Sequence, residues 1–203
     1  MKFTREQVEL AVKAKGYRWF DRGNYNLNIV GIRNGDTNGK VTNKFEDWIT
    51  LSYIDGSGKW QYHEYQATTD PGSHWTEKQL LNKNGVAILK EGQHKGSHMI
   101  GLHQGKYEAL RQKAVLPVYR DNDKDDTYDL IEENIQEGIF GINIHRATSR
   151  KGGKSTQIDK WSAGCQVIAA YDDFEEFMTV VRKGRDAYSN SFTYTLINSN
   201  DIK

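Results

Sequence analysis

The chain has 203 residues, of which 36% are hydrophobic and 27% charged, enough for one sizeable core in one large domain or a domain with a small appendage. Lys plus Arg total 28 against 27 Asp plus Glu, a formal charge of +1, so no global field draws the chain to nucleic acid or anionic lipid. One cysteine makes no intrachain disulfide, and no window approaches the roughly 18 consecutive apolar residues of a membrane span.

The opening "MKFTREQVELAVKAKGYRW" lacks the apolar stretch and small-residue cleavage site of a signal peptide, which predicts synthesis in the cytoplasm. Thr4 reads as an N-cap with Gln7 as its capping-box partner, Val8, Ala11 and Val12 form an apolar stripe, and Gly16 stops the helix. Residues 1–24 are therefore expected to be a helical segment ahead of a single domain over 25–203. From there the pattern turns to short β-rich runs at 25–33, 45–54 and 59–68, separated by "NGDTNG" and "DGSG" turns. Further strands are expected at 85–90, 97–103, 114–120, 138–145, 165–170 and 191–197, with "KYEALRQK" (106–113) as a short helix. In "DDFEEFMTVVRKG", Asp172 and Glu175 suggest a capping box. Phe174, Phe177, Met178 and Val181 fall at i, i+3, i+4 and i+7, and Gly184 reads as the stop. The prediction is a mainly-β fold with peripheral helices, either sheet on sheet or an open barrel.

The chemistry concentrates in "GINIHRATSRKGGKSTQIDKWSAGCQVI", residues 141–168, which holds the only cysteine. A cysteine attacks as thiolate, and with an ordinary pKa near about 8.5 it needs a base or a positive dipole beside it. His145, on the less apolar face of "GIFGINIH", is the natural base if its run and "CQVIAA" are neighbouring strands. Ser162, Ala163 and Gly164 would let a substrate backbone approach, and the amides of Gly164 and Cys165 would form an oxyanion hole. A poised thiolate would react fast with iodoacetamide, whereas a packed structural thiol would not.

The order His145, then Ser162-Ala163-Gly164-Cys165 after sixteen intervening residues, resembles the signature of the L,D-transpeptidase catalytic domain, also called the YkuD domain. The specific match spans about 28 residues. The wider pattern, from "ATTDPG" through "GVAILKEGQ" and "GLHQGKYEAL" to "KWSAGCQV", is most similar to bacteriophage and phage-derived members of that group. The resemblance implies a YkuD-like β-sandwich or open barrel and a peptidoglycan-active cysteine enzyme without cofactor or catalytic metal. In it, Cys165 attacks a carbonyl of a stem peptide, His145 takes the thiol proton, the Arg146 carbonyl orients His145, and Ser162 supports the site. It also implies a place for His103 in the groove, with Trp161, Ala163 and Gln166 beside the substrate. An enzyme of this kind would reach the wall after release or as part of a phage particle.

Three departures leave transfer versus hydrolysis open: Arg146 stands where the family commonly has glycine, Ala163 where it often has histidine, and Val167 where it has a substrate-binding arginine. A basic flap of Arg146, Arg150, Lys151, Lys154 and Lys160 is one compensation, and a solvated loop is the plain alternative. A catalytically inactive virion or wall-binding module with the same fold also remains open. The papain-like wall peptidases fit less well, since their cysteine precedes the histidine.

Elsewhere, Asp121, Asp123, Asp125, Thr127, Asp129 and Glu132 occupy positions 1, 3, 5, 7, 9 and 12 of a calcium-loop pattern. Position 6 is Asp126 instead of glycine and the flanks are not helical, which favours a solvated acidic loop. Of the six histidines none makes a zinc motif, and His98 and His103 face opposite sides of one strand. Trp48 and Trp60 read as sheet residues, Trp75 and Trp161 as loop residues able to stack on a sugar.

Overall fold

A computed structural model describes residues 2–78 and 82–203. The first helix, α1 (Arg5–Ala14), carries the expected capping box: the Gln7 amide donates to the Thr4 hydroxyl, and the Thr4 amide to the Gln7 side chain. Its stripe of Val8, Ala11 and Val12 packs with Trp19, Val30, Ile32 and Ile197.

Eight strands close a barrel: β1 (Asn28–Arg33), β2 (Asp47–Ile54), β3 (Trp60–Thr68), β5 (Gly92–His103), β6 (Tyr107–Gln112), β9 (Ile144–Arg146), β10 (Gln166–Ile168) and β11 (Phe192–Asn198). Their order around the barrel is β1-β11-β5-β6-β9-β10-β3-β2, with β2 returning to β1. Of the two expected forms, sheet on sheet or an open barrel, the main sheet takes neither but closes on itself, which removes the unpaired edges an open sheet must protect. A separate antiparallel sheet contains β4 (Val86–Leu89), β7 (Leu116–Asp121) and β8 (Gln136–Gly138), in the order β4-β7-β8. Strand alternation divides its residues between two cores. Ala87, Leu89, Leu116 and Val118 join the main core, while Val86, Ile88 and Tyr119 pack with Trp75, Tyr128 and Ile135.

The segment 106–113 is the strand β6 and not a helix. Gln104 and Gly105 both have positive φ, at 50° and 71°, and the Lys106 amide donates to the His103 carbonyl. That is the two-residue turn that feeds a hairpin, and pairing with β5 outweighs the helical preference of Glu108, Ala109 and Leu110. The run 138–145 is likewise not one strand: Gly138 ends β8, Gly141 takes φ +77°, and pairing resumes only at Ile144.

The second helix, α2 (Tyr171–Ala187), inserts Phe174, Phe177, Met178 and Val181 into the main core with Ile29, Leu51, Tyr65 and Leu110. It begins one residue before Asp172, at Tyr171, and its N-cap Ala170 makes no side-chain bond, so the expected capping box is absent. Asp172 and Asp173 lie in the first turn, where the positive end of the helix dipole favours them. Gly184 does not stop the helix. A Cβ there would sit 2.8 Å from Leu27 Cδ1, so this glycine lets the helix close on the barrel.

A buried polar network lies against the main core. Arg33 donates to the carbonyls of Leu89 (3.0 Å) and Thr69 (3.4 Å) and lies 2.9 Å from the Asp70 carboxylate. Asp47 accepts from the amides of Asn34 and Thr69 and from the Thr69 hydroxyl. Burial, and then the charge of Asp70, raise the Asp47 pKa. Arg33 is therefore the counter-charge for two buried carboxyls. Arg33→Met is expected to lower stability by about 3–5 kcal/mol, read as a lower urea midpoint at unchanged slope; a loss under about 1 kcal/mol would contradict this role.

Candidate active site

The parallel pair β9–β10 fixes the geometry. Gln166 stands opposite Ile144 and Val167 opposite His145, so the residue entering β10, Cys165, lies beside the end of the strand that carries His145. Both line one open pocket of about 620 Å³. Its walls include His103, Tyr107 and Arg146 on one side and Trp75, Lys160, Trp161 and Ala163 on the other. Trp75, expected in a loop, sits in a π-helical turn, His74–Lys78, and its indole N–H donates to the Lys160 carbonyl at 3.3 Å.

His145 is buried, and its Nδ1 lies 2.9 Å from the Arg146 carbonyl. A carbonyl only accepts, so Nδ1 carries the proton and Nε2 is left with its lone pair, the state of a general base. The ring stacks on His103 with centroids 4.2 Å apart. Burial foremost, and then His103, push the His145 pKa down to about 3. Burial also raises the Cys165 thiol to about 11, against a smaller opposite effect of the Asn143 backbone amide. Sγ donates to the Gly141 carbonyl at 3.3 Å. Burial thus favours the neutral form of both groups at rest.

The turn before the sulfur is held by Ser162. Its hydroxyl donates to the Cys165 carbonyl at 2.7 Å and accepts the Gly164 amide at 3.1 Å, while its own carbonyl accepts from Gly72. The Gly164 amide is thus committed within the turn. Of the two amides expected to face a substrate oxygen, only that of Cys165 makes no backbone hydrogen bond among the described residues. Gly164 has φ +126°, and a Cβ there would lie 2.1 Å from the Ala87 carbonyl oxygen. Only glycine fits where the turn passes β4.

Gln166 is not at the substrate. It is fully buried, donates to the carbonyls of Thr69 and Gly164, and accepts from the Tyr194 hydroxyl at 2.7 Å. Strand alternation turns it inward from the neighbouring Cys165. Val167 packs in a small core with Phe45, Ala147 and Ile158 and does not line the pocket. The basic flap is also narrower than expected: Arg146 and Lys160 line the pocket, whereas Arg150, Lys151 and Lys154 do not. Arg146 is held by Glu175 at 3.0 Å and lies over the rings of Tyr107 and Tyr171. Its guanidinium is thus anchored on α2.

Sequence reasoning missed Tyr107 and Lys106, because both belong to the segment read as a helix; the glycine after Gln104 was the available hairpin signal. Trp75, read with Trp161 as able to stack on a sugar, does line the pocket. His98 lies inside the barrel, accepting from the Ser97 hydroxyl and donating to the Ile142 carbonyl, which steadies the segment leading to His145. No pocket-lining residue belongs to a group of three metal-ligating side chains; the one such group among the described residues is Asp121, Asp123 and Asp129. No family model, curated protein or solved structure matches the chain.

Two outcomes follow from this geometry. The rate of Cys165 labelling by iodoacetamide is expected to rise about tenfold per pH unit from pH 7 to 9.5, since thiolate is the minor form throughout. A fast plateau near pH 7 would contradict the neutral pair. Gly164→Ala is expected to cost about 2–4 kcal/mol from the clash and the strained φ together, measured by urea unfolding; a change under about 0.5 kcal/mol would mean that the turn moves freely away from β4.

Proposed function

We propose that the chain is a peptidoglycan-active cysteine enzyme, an L,D-transpeptidase or L,D-peptidase that forms an acyl-enzyme on Cys165. The single observation that carries the reading is the shared pocket. It brings together a half-buried lone thiol and a buried histidine whose Nδ1 is occupied by the Arg146 carbonyl, in the order and with the loop motif of the YkuD domain. A volume of about 620 Å³ suits a short peptide segment.

The chemistry proceeds in two balanced steps. Sγ forms a bond to the stem-peptide carbonyl carbon as its proton passes to His145 Nε2. The Cys165 amide holds the developing oxyanion, and the imidazolium returns the proton to the leaving amine as the C–N bond breaks. A second amine, or water, then gives its proton to His145 Nε2 as it bonds to the thioester carbonyl carbon; the C–S bond breaks and the imidazolium returns the proton to Sγ, restoring the thiol. The Arg146 carbonyl stabilises the transient imidazolium. Because both partners rest neutral, complete proton transfer before attack is strongly uphill, and transfer accompanies C–S bond formation. Lys160, with Lys106 from the β5–β6 turn, supplies positive charge for stem-peptide carboxylates in place of an arginine at 167. Trp161, 44% exposed, and Trp75 offer flat faces for the substrate. On this reading the protein meets the wall after release from the cell or within a phage particle.

The Sγ bond to Gly141 rather than to His145 favours a second reading, a wall-binding module that keeps the pocket without turnover. Incubation with purified sacculi or defined muropeptides separates the two. Mass spectrometry is expected to find cleaved or exchanged stem peptides with the wild type, none with Cys165→Ala, and a rate lower by about 10²–10⁴ with His145→Ala. Products undiminished in Cys165→Ala would remove the nucleophile, and binding without products would favour the module.

A further inference from the structure

We propose that Asp121, Asp123 and Asp129 bind one divalent cation of the calcium class, and that this ion steadies the loop buttressing Trp75. A carboxylate oxygen from each of the three lies within 4.8 Å of the others. That is the span reached by two oxygens on opposite sides of a Ca²⁺ with bonds of about 2.4 Å. The site does not rest on acidity alone. Asp121 is 1% exposed at the end of β7, and its Oδ2 is buried with no hydrogen-bond partner. A buried carboxylate oxygen without a donor is costly, and two further carboxylates beside it make the site unfavourable until a cation enters.

The remaining acids of the loop have other partners. Asp125 accepts from the Thr127 amide and hydroxyl, Asp126 pairs with Lys40, and Glu132 engages Lys90 and the Tyr119 hydroxyl. Glu132 is therefore unavailable as the twelfth-position ligand of a calcium loop, and the arrangement is not an EF-hand. Among the described residues no Lys or Arg pairs with any of the three converging carboxylates. Three protein oxygens leave several positions for water or carbonyl oxygen, which calcium tolerates with irregular geometry and magnesium does not.

The same loop reaches the pocket wall. Tyr128, one residue before Asp129, donates its hydroxyl to the Pro71 carbonyl at 2.7 Å and packs in the small core that also holds Trp75. Its amide donates to Gly39, and the Val41 amide to Asp126, so the loop is stitched to the 37–41 turn. The proposal does not depend on the reaction at Cys165.

Melting of the full chain tests it. CaCl2 at 1 mM is expected to raise Tm by about 5 °C or more over EDTA-treated protein, the shift of a ligand at roughly a hundred times its Kd. The same concentration of MgCl2 should give less than half of that. Asp123→Asn and Asp129→Asn should each lose most of the shift. Asp121→Asn should lose it while melting no lower than the EDTA-treated wild type, because it removes a charge the ion alone offsets. Calorimetry on the wild type should show one site per chain. No heat and no Tm shift with calcium, or a shift that survives all three substitutions, would overturn the proposal; an equal magnesium shift would overturn the calcium assignment.

Discussion

The parallel pairing of β9 with β10 is the constraint from which the site follows. Each strand is only three residues long, yet their register sets Val167 opposite His145, so the sulfur at the mouth of β10 and the imidazole on β9 share one pocket. Such short strands hold register only if their neighbours do. β3 pairs with β10 on one side and β6 with β9 on the other. Gly164 lies so close to the Ala87 carbonyl that the turn into β10 is registered against the small sheet as well. Gln166 adds a third tie through Thr69, Gly164 and Tyr194, and Thr69 in turn meets Arg33 and Asp47. The buried ionic network is thus linked by one shared carbonyl to the residue beside the sulfur.

Electrostatically the pocket suppresses charge at rest. His145 is desolvated and stacked on a second imidazole, and burial holds the Cys165 proton on sulfur. Such a pair is protected against adventitious alkylation and oxidation, which act on thiolate. Positive charge stands at the walls instead, on Lys106 and Lys160, while the Arg146 guanidinium is held by Glu175. On the proposed function, this separation would let the pocket draw a carboxylate without ionising the thiol prematurely.

Much of this was legible in the amino-acid sequence where a local rule and the tertiary structure agree. The capping box at Thr4 and the apolar stripe of α2 are examples, as is the alternation that turns His98 and His103 to opposite faces. The order of His145 and of the Ser162-to-Cys165 turn that the β9–β10 pairing brings beside it was legible as a motif. Segments decided by long-range pairing were not. "KYEALRQK" has a helical composition and becomes a strand because β5 lies beside it, and Gly184 looks like a helix stop but is a contact with Leu27. Gln166 could not be separated from the pocket without knowing that the strand turns it inward. The spacing did name Asp121, Asp123 and Asp129, but it could not separate them from Asp125, which Thr127 occupies, or from Glu132, which Lys90 holds elsewhere.

The most direct test of the central claim is capture of the covalent intermediate. Wild-type protein mixed with a defined tetrapeptide muropeptide, quenched in acid within seconds and digested, should carry a hydroxylamine-labile acyl mass on the peptide containing Cys165. Stem-peptide cleavage with no mass on Cys165, or with the acyl group on another residue, would contradict the account.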